Sequence, residues 1–204
     1  MNEQPKPHPT LLTPRLRLRQ FTGEDTDAMH ECFADAWAMR FWSIPVHTKR
    51  IETERAVRQF IQGKPRYDRF WAVADGASNR CLGMVSYHDG HVRNRSVAIG
   101  YLIKPSHQGL GLATEAVSAL LHHCFRSLGL RRVQALIQPE NAASRAVAER
   151  LGFRCEGVLR DSLRVGDCWY DEMLYARTST DHLLHEPSDR YQPATAQVIH
   201  VPTV

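Results

Sequence analysis

The chain has few cysteines, no long run of one charge and no long apolar stretch, and each shortage removes a class of protein. Five cysteines, at positions 32, 81, 124, 155 and 168, are an odd number with no C-x-x-C spacing. Neither a disulfide framework nor a zinc site is indicated, which favours a reducing, cytoplasmic setting. The 26 basic residues exceed the 22 acidic ones by a net charge of +4, and they are scattered. Such an excess helps to hold an anionic ligand but leaves no footprint for nucleic acid. Met1 to Pro14 carries four prolines and no apolar core, so it reads as an extended arm and not as a signal peptide or membrane anchor. After residue 178, polar residues, prolines and scattered histidines replace any period, and residues 179–204 read as a poorly ordered tail. No internal repeat is visible.

What remains, residues 15–178, fits one globular domain: 43% of the chain is hydrophobic and 24% charged. Alternation marks Arg15 to Phe21 as a strand. Thr22 with Asp25 three places on reads as a capping box, opening a helix through Met29, Cys32, Phe33 and Ala36. A second helix covers Glu52 to Gln62 and stops near Gly63. Phe70 to Ala74, Cys81 to His88 and Ser96 to Ile103 read as the strands of a meander. A helix with Ala113, Val117, Leu120, Leu121 and Cys124 on one face runs to about Gly129. Arg132 to Gln138 then completes a right-handed parallel β-α-β unit. Asn141 starts a helix ending at Gly152, and strands around Phe153 to Leu163 and Trp169 to Arg177 flank a Gly166-Asp167 turn. The predicted order is β-α-α-β-β-β-α-β-α-β-β.

The most informative stretch is Gln108-Gly109-Leu110-Gly111-Leu112-Ala113-Thr114-Glu115-Ala116, a strand-to-helix junction poor in side chains. Its free backbone N–H groups gather where a helix carries partial positive charge, which suits a phosphate. Two patterns compete for it. The dinucleotide fingerprint G-x-G-x-x-G finds Gly109 and Gly111 but has Thr114 in its third place, and Glu140 lies somewhat beyond the usual interval for a ribose-binding acid. Arg/Gln-x-x-Gly-x-Gly/Ala is met by Gln108, Gly111 and Ala113.

The second pattern, set in that order of elements, resembles the GNAT superfamily of acetyl-CoA-dependent N-acetyltransferases. Ser96 to Ile103 resembles the family's central strand, Asn141-Ala142-Ala143-Ser144 its Asn-x-x-Ser helix start, and Leu151 to Gly157 its Leu-Gly-Phe-x-x-Glu-Gly stretch. Gly166 to Asp171, followed by Tyr175-Ala176-Arg177, resembles the branch of ribosomal-protein N-terminal acetyltransferases. The resemblance covers roughly residues 11 to 178. It implies an α/β fold with a mixed, mostly antiparallel sheet flanked by helices, and an acyltransferase that needs no metal.

It also implies roles. The amides of Gly109, Leu110, Gly111, Leu112, Ala113 and Thr114 would cradle the CoA pyrophosphate, Gln108 would close the loop, and the Ile103 backbone would pair with pantetheine. Asn141 would bond the cofactor arm, unless it serves only as an N-cap. Ser144 would supply the acid for the departing thiolate, against a plain reading in which its hydroxyl bonds to helix backbone. The general base has no place in the match. The family's usual Glu on the central strand is Ala98 here, and Ser162-Leu163-Arg164 stands where some of the ribosomal branch carry another Glu. His47 and His88 are candidates facing the amine, each with a structural alternative. Trp42 either walls the acceptor site or packs on the sheet, whereas Trp71 reads as core. His88-Asp89-Gly90-His91 reads as a turn, not a metal site. The implied partners are acetyl-CoA and an amine acceptor, either a protein N-terminus or a small molecule, with no nucleic acid or membrane. The protein itself is expected to be a monomer or a homodimer. A non-catalytic acyl-CoA-binding module is the rival of another class.

Overall fold

The structure, a computed structural model, describes residues 9–63 and 68–184. The predicted tail therefore lies mostly outside the described residues, as does the start of the arm. Eight strands form one sheet in the order β1-β2-β3-β4-β5-β6-β8-β7. Leu16 and Leu18 are buried in β2 (Leu16–Arg19) while Arg17 is exposed, the alternation the sequence shows. Before it, Leu11–Leu12 pair with Leu18 and Arg17 as β1, a short strand within the arm that periodicity cannot reveal. β3 (Arg69–Asp75), β4 (Cys81–His91) and β5 (Ser96–Ile103) form the antiparallel meander. β6 (Arg132–Ile137) joins β5 in parallel, and the hairpin of β7 (Arg154–Val165) and β8 (Cys168–Thr178) closes the far edge.

Helices cover both faces, as two-period strands buried on both sides require. On one face α1 (Thr26–Phe33) and α3 (Arg50–Gln62) pack Met29, Phe33 and Val57 against Ala72, Met84 and Leu102. On the other, α4 (Leu112–His122) packs Val117, Leu120 and Leu121 against Val85, Ile99 and Val133, and α5 (Ala142–Arg150) adds Ala148. Trp71 is fully buried, with Nε1 donating to the Pro9 carbonyl at 3.0 Å, so the core reading holds and the arm is tied to the sheet.

Three details differ from the expectations. The Thr22–Asp25 box exists, but it caps a 3-10 turn, with Asp25 clamped by both terminal nitrogens of Arg19 at 2.8 Å. The first helix then stops at Phe33, because Asp35 caps a separate turn, α2 (Ala36–Met39), by accepting from the Ala38 N–H. His88 to His91 is a bulged continuation of β4, with Asp89 at φ +50°, and not a turn. A last helix, α6 (Ser179–Leu184), follows β8.

Candidate active site

β5 and β6 pair in parallel only at Ser96–Arg132, Val97–Val133 and Ala98–Gln134, although β5 continues paired to β4 as far as Ile103. Beyond Ala98 the two strands part, and the sheet opens into a V with one arm of β1 to β5 and another of β6, β8 and β7. Backbone groups along the parted edge of β5 have lost their sheet partner, so an extended ligand can bond there as an added strand. A cleft of about 810 Å³ fills the opening. At its mouth Gln108 donates from Nε2 to the Ile103 carbonyl at 2.9 Å and fixes the loop to the strand end.

Gly109 and Gly111 adopt φ +78° and +77°, values that L side chains resist, and space around Gly109 is open. Gly111 is the N-cap of α4, and the first bond of that helix runs from the Glu115 N–H to the Gly111 carbonyl at 3.1 Å. The amides of Leu112, Ala113 and Thr114 are thus left without an intrahelical partner at the positive end of the helix. These residues line the cleft with Gln108, Gly109 and Gly111. Leu110 does not, since its side chain points to solvent and its carbonyl accepts from Arg15 Nη1 at 2.9 Å.

That contact belongs to a clasp the sequence did not suggest. Glu115 Oε1 accepts from the Thr13 hydroxyl at 2.6 Å and the Arg15 N–H at 2.9 Å, while Oε2 accepts from Arg15 Nε at 2.6 Å. Burial works against the charge on Glu115, yet these donors hold its carboxyl below the usual range. Arg15 in turn neutralises it, so the helix keeps its positive end toward the loop.

On the α4–α5 face, Asn141 caps α5, its Oδ1 accepting from the Ser144 N–H at 3.1 Å. The cap reading is therefore correct, and the side-chain amide still has two N–H donors to offer the cleft that Asn141 lines. Ser144 lines the same cleft, and its backbone carbonyl accepts from the Tyr101 hydroxyl at 3.3 Å. Burial raises the Tyr101 pKa, which keeps that phenol a donor.

The opposite face is read from strand register, since paired residues share a face. His88 pairs with Ala98, Ala98 with Gln134, and Leu136 with Leu174, so these side chains and Glu172 lie on the α1–α3 side. Burial lowers the His88 pKa, with Asp89 opposing, so the ring is mostly neutral at pH 7. Trp42 lines the cleft and also packs edge-on against Phe33 of α1, with ring centroids 6.3 Å apart. His47 is elsewhere: Nδ1 bonds the Thr53 hydroxyl at 2.9 Å, its ring packs tilted against Phe33, and it does not line the cleft. Its structural reading is the one the geometry supports.

Sequence reasoning missed Glu172 altogether. It is 8% exposed, lines the cleft from β8 and accepts from the Ser162 hydroxyl at 2.9 Å. Its signal was the alternation of β8, which carries weight only once β8 is known to lie between β6 and β7. Among the described residues, no group of three or more His, Cys, Asp or Glu side chains could hold a metal, and no helix is long and apolar enough to cross a membrane.

The sheet is mostly antiparallel, which removes the doubly wound dinucleotide fold from contention. Comparison with known proteins agrees: the acetyltransferase (GNAT) domain family matches residues 15–154. The chain belongs to the GNAT acetyltransferase family. It is 31% identical over 174 residues to the uncharacterised N-acetyltransferase YoaA of Bacillus subtilis, covering 82% of this chain and 96% of that protein. It is 31% identical over 132 residues to the ribosomal-protein-serine acetyltransferase of Escherichia coli, covering 62% of this chain and 73% of that one. A solved ribosomal L7/L12 alpha-N-protein acetyltransferase in complex with coenzyme A superposes with a TM-score of 0.74 at 27% identity, covering 83% of this chain and 97% of that one. The GNAT fold and the ribosomal-acetyltransferase-like branch are thus as the motifs implied, and the protein is an acyltransferase.

Proposed function

We propose that this protein transfers an acetyl group from acetyl-CoA to a protein N-terminal α-amine by direct attack, with no covalent enzyme intermediate. The observation that carries the reading is the V opened beyond Ala98 with the glycine loop at its mouth. It offers a phosphate cradle, an unpaired strand edge and access from both faces of the sheet in one cleft.

The cleft fits an acyl-CoA. The amides of Leu112 to Thr114 and the open backbone at Gly109 receive the pyrophosphate, and the β5 edge running to Ile103 pairs with the pantetheine arm. Asn141 offers amide donors to the same arm. Bound there, acetyl-CoA supplies an activated thioester whose thiolate leaves readily. A backbone N–H on the parted edge polarises the carbonyl, and Ser144 donates a hydrogen bond to the departing sulfur. An α-amine has an unperturbed pKa near about 8, so a useful fraction is neutral at working pH. The similarity to ribosomal-protein acetyltransferases supports the protein acceptor over a small amine.

Incubating the purified protein with acetyl-CoA and either peptides bearing a free α-amine or small polyamines tests this by thiol release. Release with peptides is expected; release with polyamines alone overturns the acceptor. Tight binding of acetyl-CoA with no acceptor-dependent release establishes the non-catalytic module instead. Ser144→Ala is expected to slow turnover about tenfold or more while cofactor affinity stays within about twofold; an unchanged turnover number removes Ser144 from the chemistry.

A further inference from the structure

We infer that Glu172 is the group that receives the acceptor amine and takes its proton, a carboxylate delivered from β8 to replace the one absent at Ala98. The inference rests on the acetyl-transfer reading above and names the missing partner in it.

Glu172 is an acid on the wall of the cleft, 8% exposed, and among the described residues no cation pairs with it. Its partner is a neutral hydroxyl, Ser162 Oγ. A carboxylate on a cleft wall that accepts from one neutral donor has acceptor capacity left for a cation that enters the cleft. An amine acceptor arrives as that cation, R–NH3+. The site also has the right address. Register sets Glu172 on the same face as Ala98, His88 and Leu136, the face opposite α4 and the glycine loop. Donor and acceptor thus approach the opening from different sides.

The backbone around it is shaped for this purpose. The register of β7 against β8 breaks between Leu159 and Leu163, with Asp161 in the left-handed region at φ +49°. Bulges of this kind re-aim side chains beside active sites. Here the Asp161 N–H is held by Asp171 Oδ1 at 2.9 Å, and the next residue, Ser162, turns its hydroxyl onto Glu172. Neighbouring acids on β8 therefore do different work: Asp171 ties down the bulge, and Glu172 faces the cleft.

The step balances without another reactant. R–NH3+ gives one proton to the Glu172 carboxylate and becomes R–NH2. The nitrogen lone pair forms the N–C bond to the thioester carbonyl as the C–S bond breaks and its electron pair passes to sulfur. The second nitrogen proton ends on the thiolate, through Ser144 or water, giving the amide and free CoA thiol. Glu172 then returns its proton to solvent.

Glu172→Gln tests the assignment, because it keeps the shape and still accepts from Ser162. The variant is expected to bind acetyl-CoA within about twofold of the wild type, while kcat on peptide α-amines falls about ten- to a hundredfold. A kcat within twofold of the wild type, or a rise confined to the acceptor KM, overturns it. Ser162→Ala leaves the carboxylate but frees it, and a smaller fall in kcat with intact acetyl-CoA binding is expected; no fall overturns the positioning role of Ser162. A wild-type protein that binds acetyl-CoA and acetylates no amine overturns the function as well, whereas an active wild type beside an equally active Glu172→Gln overturns only this assignment.

Discussion

Glu115→Gln isolates the contribution of the clasp that joins Thr13 and Arg15 to the glycine loop. The carboxylate accepts three hydrogen bonds of 2.6 to 2.9 Å, two of them from Arg15. Glutamine can keep the Thr13 hydroxyl and the Arg15 N–H on its carbonyl, but it then turns an amide donor toward Arg15 Nε. One charge-assisted bond is lost and two become neutral, a change of about 1 kcal/mol for each. Arg15 is 52% exposed and its share is screened, which brings the total to about 2 kcal/mol. In a domain of this size that lowers Tm by about 4–8 °C. The guanidinium also loses its reason to stay over the Leu110 carbonyl, so acetyl-CoA affinity should fall with it. The pH dependence has a defined sign. A carboxyl held below its ordinary 4.5 stabilises the fold above that value, and the contribution vanishes as pH falls through the folded-state pKa. Thermal scans at pH 7 and in acid, with calorimetry for acetyl-CoA, should show a gap that narrows in acid. A Tm within about 1 °C of the wild type at pH 7, or a gap that persists in strong acid, refutes the reasoning.

Two further outcomes follow from buried groups. Gly83 lies where an added Cβ would collide with the Leu102 carbonyl oxygen and meet the Ile103 Cα at 2.9 Å, so Gly83→Ala must push β5 away at the mouth of the opening. A loss of about 3 kcal/mol or more is expected, read as a fall in the urea midpoint, and a midpoint equal to the wild type would show that the strands separate freely. His123 is 8% exposed against Trp71, and burial, aided by Arg69 and His122, pushes its pKa down to about 4. The unfolded chain takes that proton near 6.5, so stability should decline from pH 6.5 to about 4 on this account, and His123→Leu should flatten the decline. An unchanged slope in urea titrations across that range would exclude His123 as its source.

Local rules made the donor side legible. Glycines at positive φ, an Asn cap and a strand followed by a helix are all written in consecutive residues, and the structure puts them in one cleft. The opposite face of the cleft was less so because its members come from distant strands. His88, Ala98, Leu136 and Glu172 share a face only through pairings that skip along the chain, with β8 inserted between β6 and β7. The end of α1 was missed for a smaller reason: Asp35 begins a new cap inside a run whose apolar spacing continues smoothly. His47 shows why chain position alone left two readings open. Its place in the loop before α3 suited a catalytic reading, but Thr53, fully buried, takes its ring nitrogen and that of His30.

The same topology explains why chemistry is confined to one short stretch. A strand is buried on both faces wherever helices cover it, and a ligand can meet its backbone only where a neighbour departs. β5 has such a stretch beyond Ala98, between the last pairing to β6 and its end at Ile103. The glycine loop lies at the far end of that stretch, since the chain turns from Ile103 through Gln108 into α4, and the proposed phosphate cradle lies there with it. On the proposed reading the amine comes from the side α4 leaves open. Ala98 on β5 and Gln134 and Leu136 on β6 carry no carboxylate to that face, so the proposed base comes from β8, whose neighbour β7 bulges beside Glu172. Removing the bulge should therefore impair acetyl transfer and leave cofactor binding intact. Deleting Arg160 together with Asp161 offers that test, because the register shifts by two residues between Leu159 and Leu163: kcat should fall toward the Glu172→Gln value at unchanged acetyl-CoA affinity, and full activity in the deletion variant would break the link between the bulge and the chemistry.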